Sequence, residues 1–97
     1  MLTTTKPLVR SWLYVPGQRE RMLQKSFSLA ADAVIYDLED AVPIAEKQAA
    51  RRLLAKYLTE PAPASAPRRF VRLNHPSRAE MFEADLACAV ALSIEGI

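Results

Sequence analysis

Residues 34–42 read "VIYDLEDAV", and the expected fold and site both follow from this stretch. Its first three residues, 34–36, are typical of a buried strand, because β-branched and aromatic side chains suit a pleated, covered surface. Three carboxylates follow within four positions, at Asp37, Glu39 and Asp40. A buried strand that ends in this much negative charge is typical of parallel α/β proteins, whose strands deliver ligand-binding groups at their C-terminal ends.

Two hydrophobic periods alternate along the chain. Runs rich in β-branched and aromatic residues predict strands at 9–15, 33–38 and 70–73. Apolar residues at helical spacing predict helices at 18–31, 44–58 and 81–92. A polar, proline-rich connector occupies 59–67, and the last residues, "EGI", look like the beginning of a fourth strand.

Each predicted helix has an expected buried face. In the first helix this face comprises Met22, Leu23, Ser26, Phe27 and Ala30. In the second it comprises Ala45, Ala49, Leu53, Tyr57 and Leu58, with Pro43 in the first turn. In the third it comprises Phe82, Leu86, Ala89 and Val90.

The order strand–helix repeated three times predicts βαβ units around a parallel sheet. The 97 residues suit a single domain, 1–97, made of three βα units and the start of strand 4. Such a sheet exposes two edges, and its apolar strands need cover on both faces. From composition alone, the chain is either a small open α/β domain or the first part of a larger barrel.

Composition and charge argue against several functions. A net charge of +2, with scattered arginines, argues against a nucleic-acid partner. The apolar stretches are too short to span a bilayer, and the arginine at position 10 interrupts any secretory signal. One cysteine excludes an internal disulfide framework. We therefore expect a soluble, cytoplasmic protein without a membrane or nucleic-acid partner.

Polar residues follow each predicted strand, as "YVPGQRER", "DLED" and "RLNHP". Because the C-terminal ends of parallel strands share one edge of the sheet, we expect these residues to converge. Arg72 carries a planar fork that can grip a carboxylate in two places. The acids at 37, 39 and 40 are hard oxygen ligands, or holders of water, suited to Mg²⁺. An anionic substrate beside a divalent cation is the chemistry that this set favours.

Simpler interpretations remain open. "DLED" is also typical of a solvated loop that caps the next helix, and Arg72 can equally form a structural ion pair with one of its acids. His75 is interpreted as a loop residue and Cys88 as a packing residue. With one histidine and one cysteine a zinc site is not expected, and two glycines are too few for a phosphate-binding loop or a dinucleotide fingerprint.

The pieces "RSWLYVPGQRERM", "ADAVIYDLEDAVPIAEKQAAR" and "VRLN" resemble, in order and spacing, the citrate lyase β-subunit family. This is the HpcH/HpaI aldolase group, which includes malyl-CoA and citramalyl-CoA lyases. The resemblance covers residues 10–97 and implies the N-terminal part of a (β/α)₈ barrel.

The resemblance also implies an activity, the Mg²⁺-dependent cleavage of a carbon–carbon bond in a 3-hydroxyacyl thioester. The products are an acetyl-type thioester and an α-keto acid. Arg72 resembles the arginine that binds the keto acid, and Glu39 and Asp40 resemble acids that hold water around the metal, with Asp37 a weaker catalytic candidate. The positions that contact coenzyme A in the family correspond to Tyr14, Arg19 and Lys25. The direct metal ligands are expected outside this chain.

Three hypotheses follow from the resemblance. The chain is part of a lyase that acts on a coenzyme A or acyl-carrier thioester, and full-length relatives are expected to be homo-oligomers. Alternatively, it is a truncated, non-catalytic remnant. In the third, it is one half of a split barrel that needs a complementing chain.

Overall fold

The computed structural model describes residues 10–97, so Val9, the first residue of the first predicted strand, lies outside the described part. Three strands, β1 (Trp12–Pro16), β2 (Ala33–Asp37) and β3 (Arg68–Arg72), form one parallel sheet in that order. Helices α1 (Glu20–Ser26), α2 (Lys47–Leu58) and α3 (Ala79–Ala89) each follow a strand, and a 3₁₀ turn (Ile44–Glu46) leads into α2. The predicted βα class is confirmed.

Helices α1 and α2 pack against one face of the sheet and form the core there, and α3 packs against α2. Strand residues that point to this face, such as Val15, Val34, Tyr36 and Val71, are at most 1% exposed. Leu23 of α1 and Leu54 and Leu58 of α2 are fully buried against them. Apolar burial of this kind stabilises a fold by about 25 cal/mol for each Å² removed from water.

The opposite face of the sheet is open. The register places Tyr14, Ile35 and Phe70 side by side on it, and Trp12 stacks at a tilt on Phe70 with ring centroids 5.0 Å apart. Trp12 and Tyr14 remain 47% and 52% exposed. This face lines a groove of about 530 Å³ that ends at Arg72. Cover on both faces of the strands, expected from their composition, is therefore present on the helix face only.

The last residues run alongside β3. Gly96 forms a parallel bridge with Phe70, and the amide of Val71 donates to the Gly96 carbonyl at 3.1 Å. The amide of Glu95 donates to the carbonyl of Arg69 at 2.7 Å. The predicted beginning of a fourth strand therefore pairs with the edge of β3, in the parallel direction that a continuing βα series requires.

Several predicted bounds of helices and strands are wrong. Helix α1 is shorter than 18–31, because the chain changes to i→i+3 hydrogen bonds at its end and the Ser28 hydroxyl donates to the Lys25 carbonyl. Helix α3 begins and ends earlier than 81–92, and β3 begins two residues before Phe70.

The predicted buried faces of α2 and α3 are also corrected. The buried residues of α2 are Lys47, Ala50, Leu54 and Leu58, whereas the predicted Ala45 and Ala49 are exposed. Within α2 the buried stripe is displaced by one residue from the predicted one, to positions 50 and 54 instead of 49 and 53, whereas Leu58 is buried as predicted. In α3, Asp85 and Ala89 are buried, whereas Leu86 and Val90 are exposed. Each of the two helices buries a charged residue that the apolar pattern did not include, Lys47 in α2 and Asp85 in α3.

The predicted face of α1 is partly correct. Leu23 and Ser26 are buried and Phe27 packs against the core, but Met22 is 41% exposed and Ala30 lies beyond the helix. Across residues 10–97, none of the helices combines the length and the hydropathy that a membrane crossing needs.

Candidate active site

Asp37 and Arg72 form a two-pronged ion pair where β2 and β3 end. The two residues are directly opposite each other in the parallel register, on the open face of the sheet. Arg72 donates from Nε to Oδ1 of Asp37 at 2.9 Å and from Nη2 to Oδ2 at 2.7 Å. The Asp37 side chain is 1% exposed and that of Arg72 is 35% exposed. The arginine therefore spans from a buried carboxylate to the solvent-facing mouth of the sheet.

The pair changes the acidity of both partners. Burial raises the pKa of Asp37, but hydrogen bonds from Arg72 and from the amides of Glu39 and Ala41 outweigh burial, so the net pKa is lowered. The hydrogen bond to Asp37 raises the pKa of Arg72 further above its usual range. Asp37 is thus held as a carboxylate and is poorly suited to accept a proton.

Two more acids and an aromatic ring surround the arginine. Oε1 of Glu39 lies 3.7 Å from Nη1 of Arg72, and Oδ2 of Asp40 lies 3.8 Å from Nη2. These distances are too long for hydrogen bonds, so the two carboxylates face the guanidinium without being tied to it. The guanidinium carbon lies 5.2 Å from the centroid of the Tyr14 ring, within the range of a cation–π contact.

The backbone after β2 is anchored by groups on both sides of it. We call residues 38–41 the acidic loop. Oδ1 of Asp37 accepts the amide of Glu39 at 2.8 Å, and Oδ2 accepts the amide of Ala41 at 3.0 Å. Lys47, only 6% exposed, donates from Nζ to the carbonyls of Leu38 and Glu39, both at 2.9 Å. Burial lowers the pKa of Lys47.

A buried polar cluster joins the acidic loop to the end of β3. Asn74 donates from Nδ2 to the Leu38 carbonyl at 2.9 Å and to Oδ2 of Asp85 at 2.6 Å. The backbone amide of Asn74 also donates to Asp85, at 2.8 Å. Oδ1 of Asp85, which is fully buried, accepts Nε of Arg51 at 2.7 Å. Helices α2 and α3 are thereby connected to the ends of the two strands that carry Asp37 and Arg72.

Gly17 allows the end of β1 to approach the end of β2. Its amide donates to the Asp37 carbonyl at 2.9 Å. A Cβ at this position would lie 2.9 Å from that same carbonyl oxygen and 3.2 Å from Cδ2 of Leu38. The lack of a side chain at Gly17 is therefore required by the packing.

The structure places the residues singled out in the sequence in two groups. One group surrounds the guanidinium of Arg72 where the strands end, which we call the mouth of the sheet. It comprises Tyr14, Asp37, Glu39, Asp40 and Arg72. Arg19 precedes α1 and Lys25 lies in its last turn, so the helical rise separates them by about 9 Å along the axis. Both are exposed.

The two residues given structural interpretations lie where those interpretations place them. His75 is exposed in the loop after β3, where its Nδ1 contacts the hydroxyl and amide of Ser77. Cys88 is half-buried on α3, with Sγ 3.5 Å from the Arg51 carbonyl, and burial raises the pKa of its thiol.

Within residues 10–97, no group of three or more His, Cys, Asp or Glu side chains is gathered as a metal site. Both oxygens of Asp37 are occupied by Arg72 and by backbone amides. Glu39 and Asp40 keep carboxylate oxygens that could bond water on a metal ion held by other ligands. These residues fit the surroundings of a magnesium ion rather than its direct coordination.

Sequence reasoning missed the roles of Lys47, Asn74 and Asp85. A signal was present for two of them, because Lys47 and Asp85 occupy positions in the helical stripes that are actually buried. A charge inside a buried stripe indicates a specific polar partner, since unpaired burial of a charge is too costly. Asn74 carries no such pattern in the sequence.

The family of the chain follows from comparison with known proteins. The family model described as HpcH/HpaI aldolase/citrate lyase matches residues 10–97. The chain belongs to this family. The resemblance seen in the motifs is thereby confirmed, and the matched range contains all five residues that meet at the mouth.

The named relatives include both a thioesterase and a lyase subunit. A (3S)-malyl-CoA thioesterase of Cereibacter sphaeroides (strain KD131 / KCTC 12085) is 55% identical over 65 residues, which are 67% of this chain and 22% of that protein. The citrate lyase β subunit of Mycobacterium tuberculosis complexed with oxaloacetate and magnesium is 34% identical, with a TM-score of 0.69 over 86% of this chain and 34% of that one.

A second similar structure contains coenzyme A in addition to magnesium. The protein CitE of Mycobacterium tuberculosis in complex with magnesium, acetoacetate and coenzyme A is 33% identical. Its TM-score is 0.68, over 86% of this chain and 29% of that one. The chain therefore spans about a fifth of the curated relative and about a third of the solved structures.

Proposed function

We propose that this chain supplies the keto-acid-binding arginine and the acidic loop of a magnesium-dependent carbon–carbon lyase. The substrate class is a 3-hydroxyacyl thioester of the citryl, malyl or citramalyl type. The products are an acetyl-type thioester and an α-keto acid. The remaining βα units of a (β/α)₈ barrel, including the direct metal ligands, lie outside these 97 residues.

The arrangement around Arg72 carries this proposal. Asp37 holds Nε and Nη2, which fixes the plane of the guanidinium, while Nη1 stays at the mouth of the sheet. A fixed, partly exposed guanidinium beside an aromatic ring suits a small carboxylate ligand. The related citrate lyase β subunit is named as a complex with oxaloacetate, which is such a ligand.

Each residue has a distinct task in the proposed reaction. Arg72 binds the carboxylate of the keto-acid portion, and Asp37 keeps the guanidinium oriented and charged. Glu39 and Asp40 would accept hydrogen bonds from water on a bound metal ion. Magnesium would supply Lewis acidity at the oxygen of the keto-acid portion.

The thioester carrier is proposed to lie along α1. Tyr14 is exposed on β1, Arg19 stands immediately before α1, and Lys25 lies in the last turn of that helix. Two exposed cations, at positions separated by about 9 Å along the helix axis, can follow a chain of phosphates. The solved relative that contains coenzyme A supports this carrier, although an acyl-carrier thioester would present the same phosphopantetheine chemistry.

The open face of the sheet supports the barrel part of the proposal. Trp12 and Tyr14 are about half exposed, and the edge of β3 is already paired with Glu95 and Gly96. In a closed barrel this face becomes the packed interior, and both sheet edges are paired. The missing units either follow in the same polypeptide or come from a complementing chain. A non-catalytic remnant is the alternative if neither exists.

Hydrolysis of the thioester is a second candidate function. The relative that is 55% identical over 65 residues is named (3S)-malyl-CoA thioesterase, and thioester hydrolysis releases a hydroxy acid and a free thiol. The two reactions share the substrate class and differ in the bond that is cleaved. Product analysis distinguishes them directly.

The test joins residues 1–97 to the segment of the Mycobacterium tuberculosis citrate lyase β subunit that follows its matched part. With Mg²⁺ and malyl-CoA, citramalyl-CoA or citryl-CoA, carbon–carbon cleavage gives an α-keto acid and acetyl-CoA without free thiol. Hydrolysis gives free thiol without keto acid. The unjoined chain is assayed alongside and is expected to be inactive.

Arg72→Lys in the joined protein is expected to lower kcat/KM at least about 100-fold, because a single ammonium cannot reproduce the fixed, two-pronged contact. Arg52→Lys, on the exposed side of α2, is the matched control and should leave the rate unchanged. A wild-type rate in the Arg72→Lys protein contradicts the assigned role. A joined protein that folds and binds Mg²⁺ but cleaves neither bond contradicts the proposed function.

A further inference from the structure

Two side chains of opposite charge bond the backbone of the acidic loop, one to its amides and one to its carbonyls. The Asp37 carboxylate accepts the amides of Glu39 and Ala41. The Lys47 ammonium donates to the carbonyls of Leu38 and Glu39. Each charge therefore bonds the backbone groups of complementary polarity, and Glu39 is held through both its amide and its carbonyl.

Lys47 is an unusual residue for this place. Lysine is rarely buried unless it is paired, yet this side chain is 6% exposed and its hydrogen bonds go to backbone carbonyls. An apolar residue at the head of the buried stripe of α2 would avoid the cost of removing an ammonium group from water. The burial of a lysine at this position is therefore best explained by the two carbonyls that its ammonium group bonds.

The Leu38 carbonyl is a shared anchor point. It accepts Lys47 from α2 at 2.9 Å and Asn74 from the end of β3 at 2.9 Å. Asn74 is in turn held by Asp85 of α3. The acidic loop is thus fixed relative to the strand that carries Arg72, and not only relative to its own strand.

We propose that Lys47 is a positioning residue, whose ammonium group holds the carbonyls of the acidic loop so that the side chains of Glu39 and Asp40 stay directed at Arg72. With the amides of Glu39 and Ala41 bonded to Asp37 and the carbonyls of Leu38 and Glu39 bonded to Lys47, the carboxylates of Glu39 and Asp40 face the guanidinium of Arg72. They lie 3.7 and 3.8 Å from the guanidinium. The value of this arrangement for catalysis rests on the proposed lyase function, whereas the positioning itself does not.

The first test uses amide hydrogen exchange in the 97-residue chain. Lys47→Met keeps the length and the apolar stem but removes the donors. We expect the amides of Glu39 and Ala41 to exchange at least about tenfold faster, because their loop loses its carbonyl anchors and opens more often. Protection of Leu54 and Leu58 amides in α2 should stay within about threefold, which reports that the fold is intact.

Lys56→Met is the matched control, since Lys56 lies on the same helix with an exposed side chain that pairs with Glu20. It should leave loop exchange unchanged. Unchanged exchange of Glu39 and Ala41 in Lys47→Met overturns the proposal, and so does acceleration that is equal throughout α2 and the loop.

A second measurement needs no variant and therefore remains decisive if Lys47→Met does not fold. In the wild-type chain, NMR couplings across hydrogen bonds should connect Lys47 Nζ to the carbonyl carbons of both Leu38 and Glu39. Couplings to both carbons support the proposal. Absence of both, with the ammonium protons exchanging as fast as those of Lys56, overturns it.

The third test separates positioning from a merely structural role. In the joined barrel described above, Lys47→Met should lower kcat about 10- to 100-fold while KM for the thioester changes less than about threefold, since misplaced groups near the chemistry act on the reaction step. Unchanged kcat together with faster loop exchange overturns the positioning role. If the wild-type joined barrel is itself inactive, the lyase function fails, and the exchange and coupling results on the chain alone decide whether Lys47 holds the loop.

Discussion

Arg72 and Asp37 face each other across neighbouring strands and share two hydrogen bonds, at 2.9 and 2.7 Å. The parallel register alone places the two side chains on the same face, because directly opposed residues point the same way. Asp37 accepts two further bonds from backbone amides, so its buried oxygens are satisfied. The pair is therefore both a link between two strands and the support for a guanidinium that reaches the mouth.

Replacing Asp37 by asparagine should destabilise the chain. Asparagine offers one acceptor oxygen and an amide that points donors at Arg72 or at the loop amides. Loss of charge-assisted hydrogen bonds costs about 2–3 kcal/mol, and we expect a decrease of that size in the free energy of unfolding. Urea denaturation measures it. Asp40→Asn, at a side chain 81% exposed, is the control and should change the stability by less than about 0.5 kcal/mol. Equal effects of the two substitutions would contradict the structural role of the pair.

Stability should fall on acidification, in part through Asp37. Its pKa is lowered in the folded chain from an ordinary value of 3.8, so the unfolded chain takes up this proton first as the pH falls. The stabilisation is therefore fully present above about pH 4 and is lost as the pH falls through the lower folded pKa. The hydrogen bond from Tyr57 lowers the pKa of Glu20 and acts in the same direction. Urea midpoints between pH 2 and 7 should consequently show a shallower acid slope in Asp37→Asn, and an unchanged slope would contradict the assignment to Asp37.

Much of the strand framework could be predicted from the sequence, because it depends on local periods. The run at 34–36 and its neighbours predicted the three strands and their parallel order, and Tyr14, the acids after β2 and Arg72 meet as expected. The pairing partner of Arg72 was left open because the sequence contains three acids within reach of it. Register selects Asp37, and register depends on the packing of the whole sheet.

The partners of the buried polar cluster could not be predicted for a related reason. Charge usually marks the solvated face of a helix, so Lys47 and Asp85 stand out in the buried stripes, but the stripes do not identify the groups that they bond. The burial of these two charged residues depends on partners 8 to 34 positions away along the chain, such as the Glu39 carbonyl for Lys47 and Arg51 for Asp85. Tertiary hydrogen bonds therefore shifted the buried faces of α2 and α3 away from the ones that apolar spacing indicates.

Gly17→Ala should be destabilising because of steric contact with the backbone. The added Cβ would lie 2.9 Å from the Asp37 carbonyl oxygen, and a backbone oxygen cannot turn aside as a flexible side chain can. Neither glycine has a positive φ, so conformational strain does not contribute. Overpacking of this kind costs about 1–3 kcal/mol. Gly96→Ala provides the control, since its Cβ would meet Phe70 at an ordinary 3.4 Å and should be nearly neutral. Thermal or urea unfolding of the two variants compares them, and a neutral Gly17→Ala would contradict the close approach of β1 and β2.

Replacing Asp85 should have the largest effect on stability among these variants. Asp85 is fully buried and accepts hydrogen bonds from Arg51 and from both the amide and the side chain of Asn74. Asp85→Ala leaves the Arg51 guanidinium, 13% exposed, without its carboxylate, and breaking a buried pair from one side costs about 3–5 kcal/mol. Glu83→Ala, at an exposed position on the same helix, controls for the loss of an acidic side chain from α3.

In a double-mutant cycle, Arg51→Met combined with Asp85→Ala should cost less than the sum of the two single changes, because the second substitution removes a charge that the first left unpaired. Strict additivity in urea denaturation would show that the two residues do not stabilise each other.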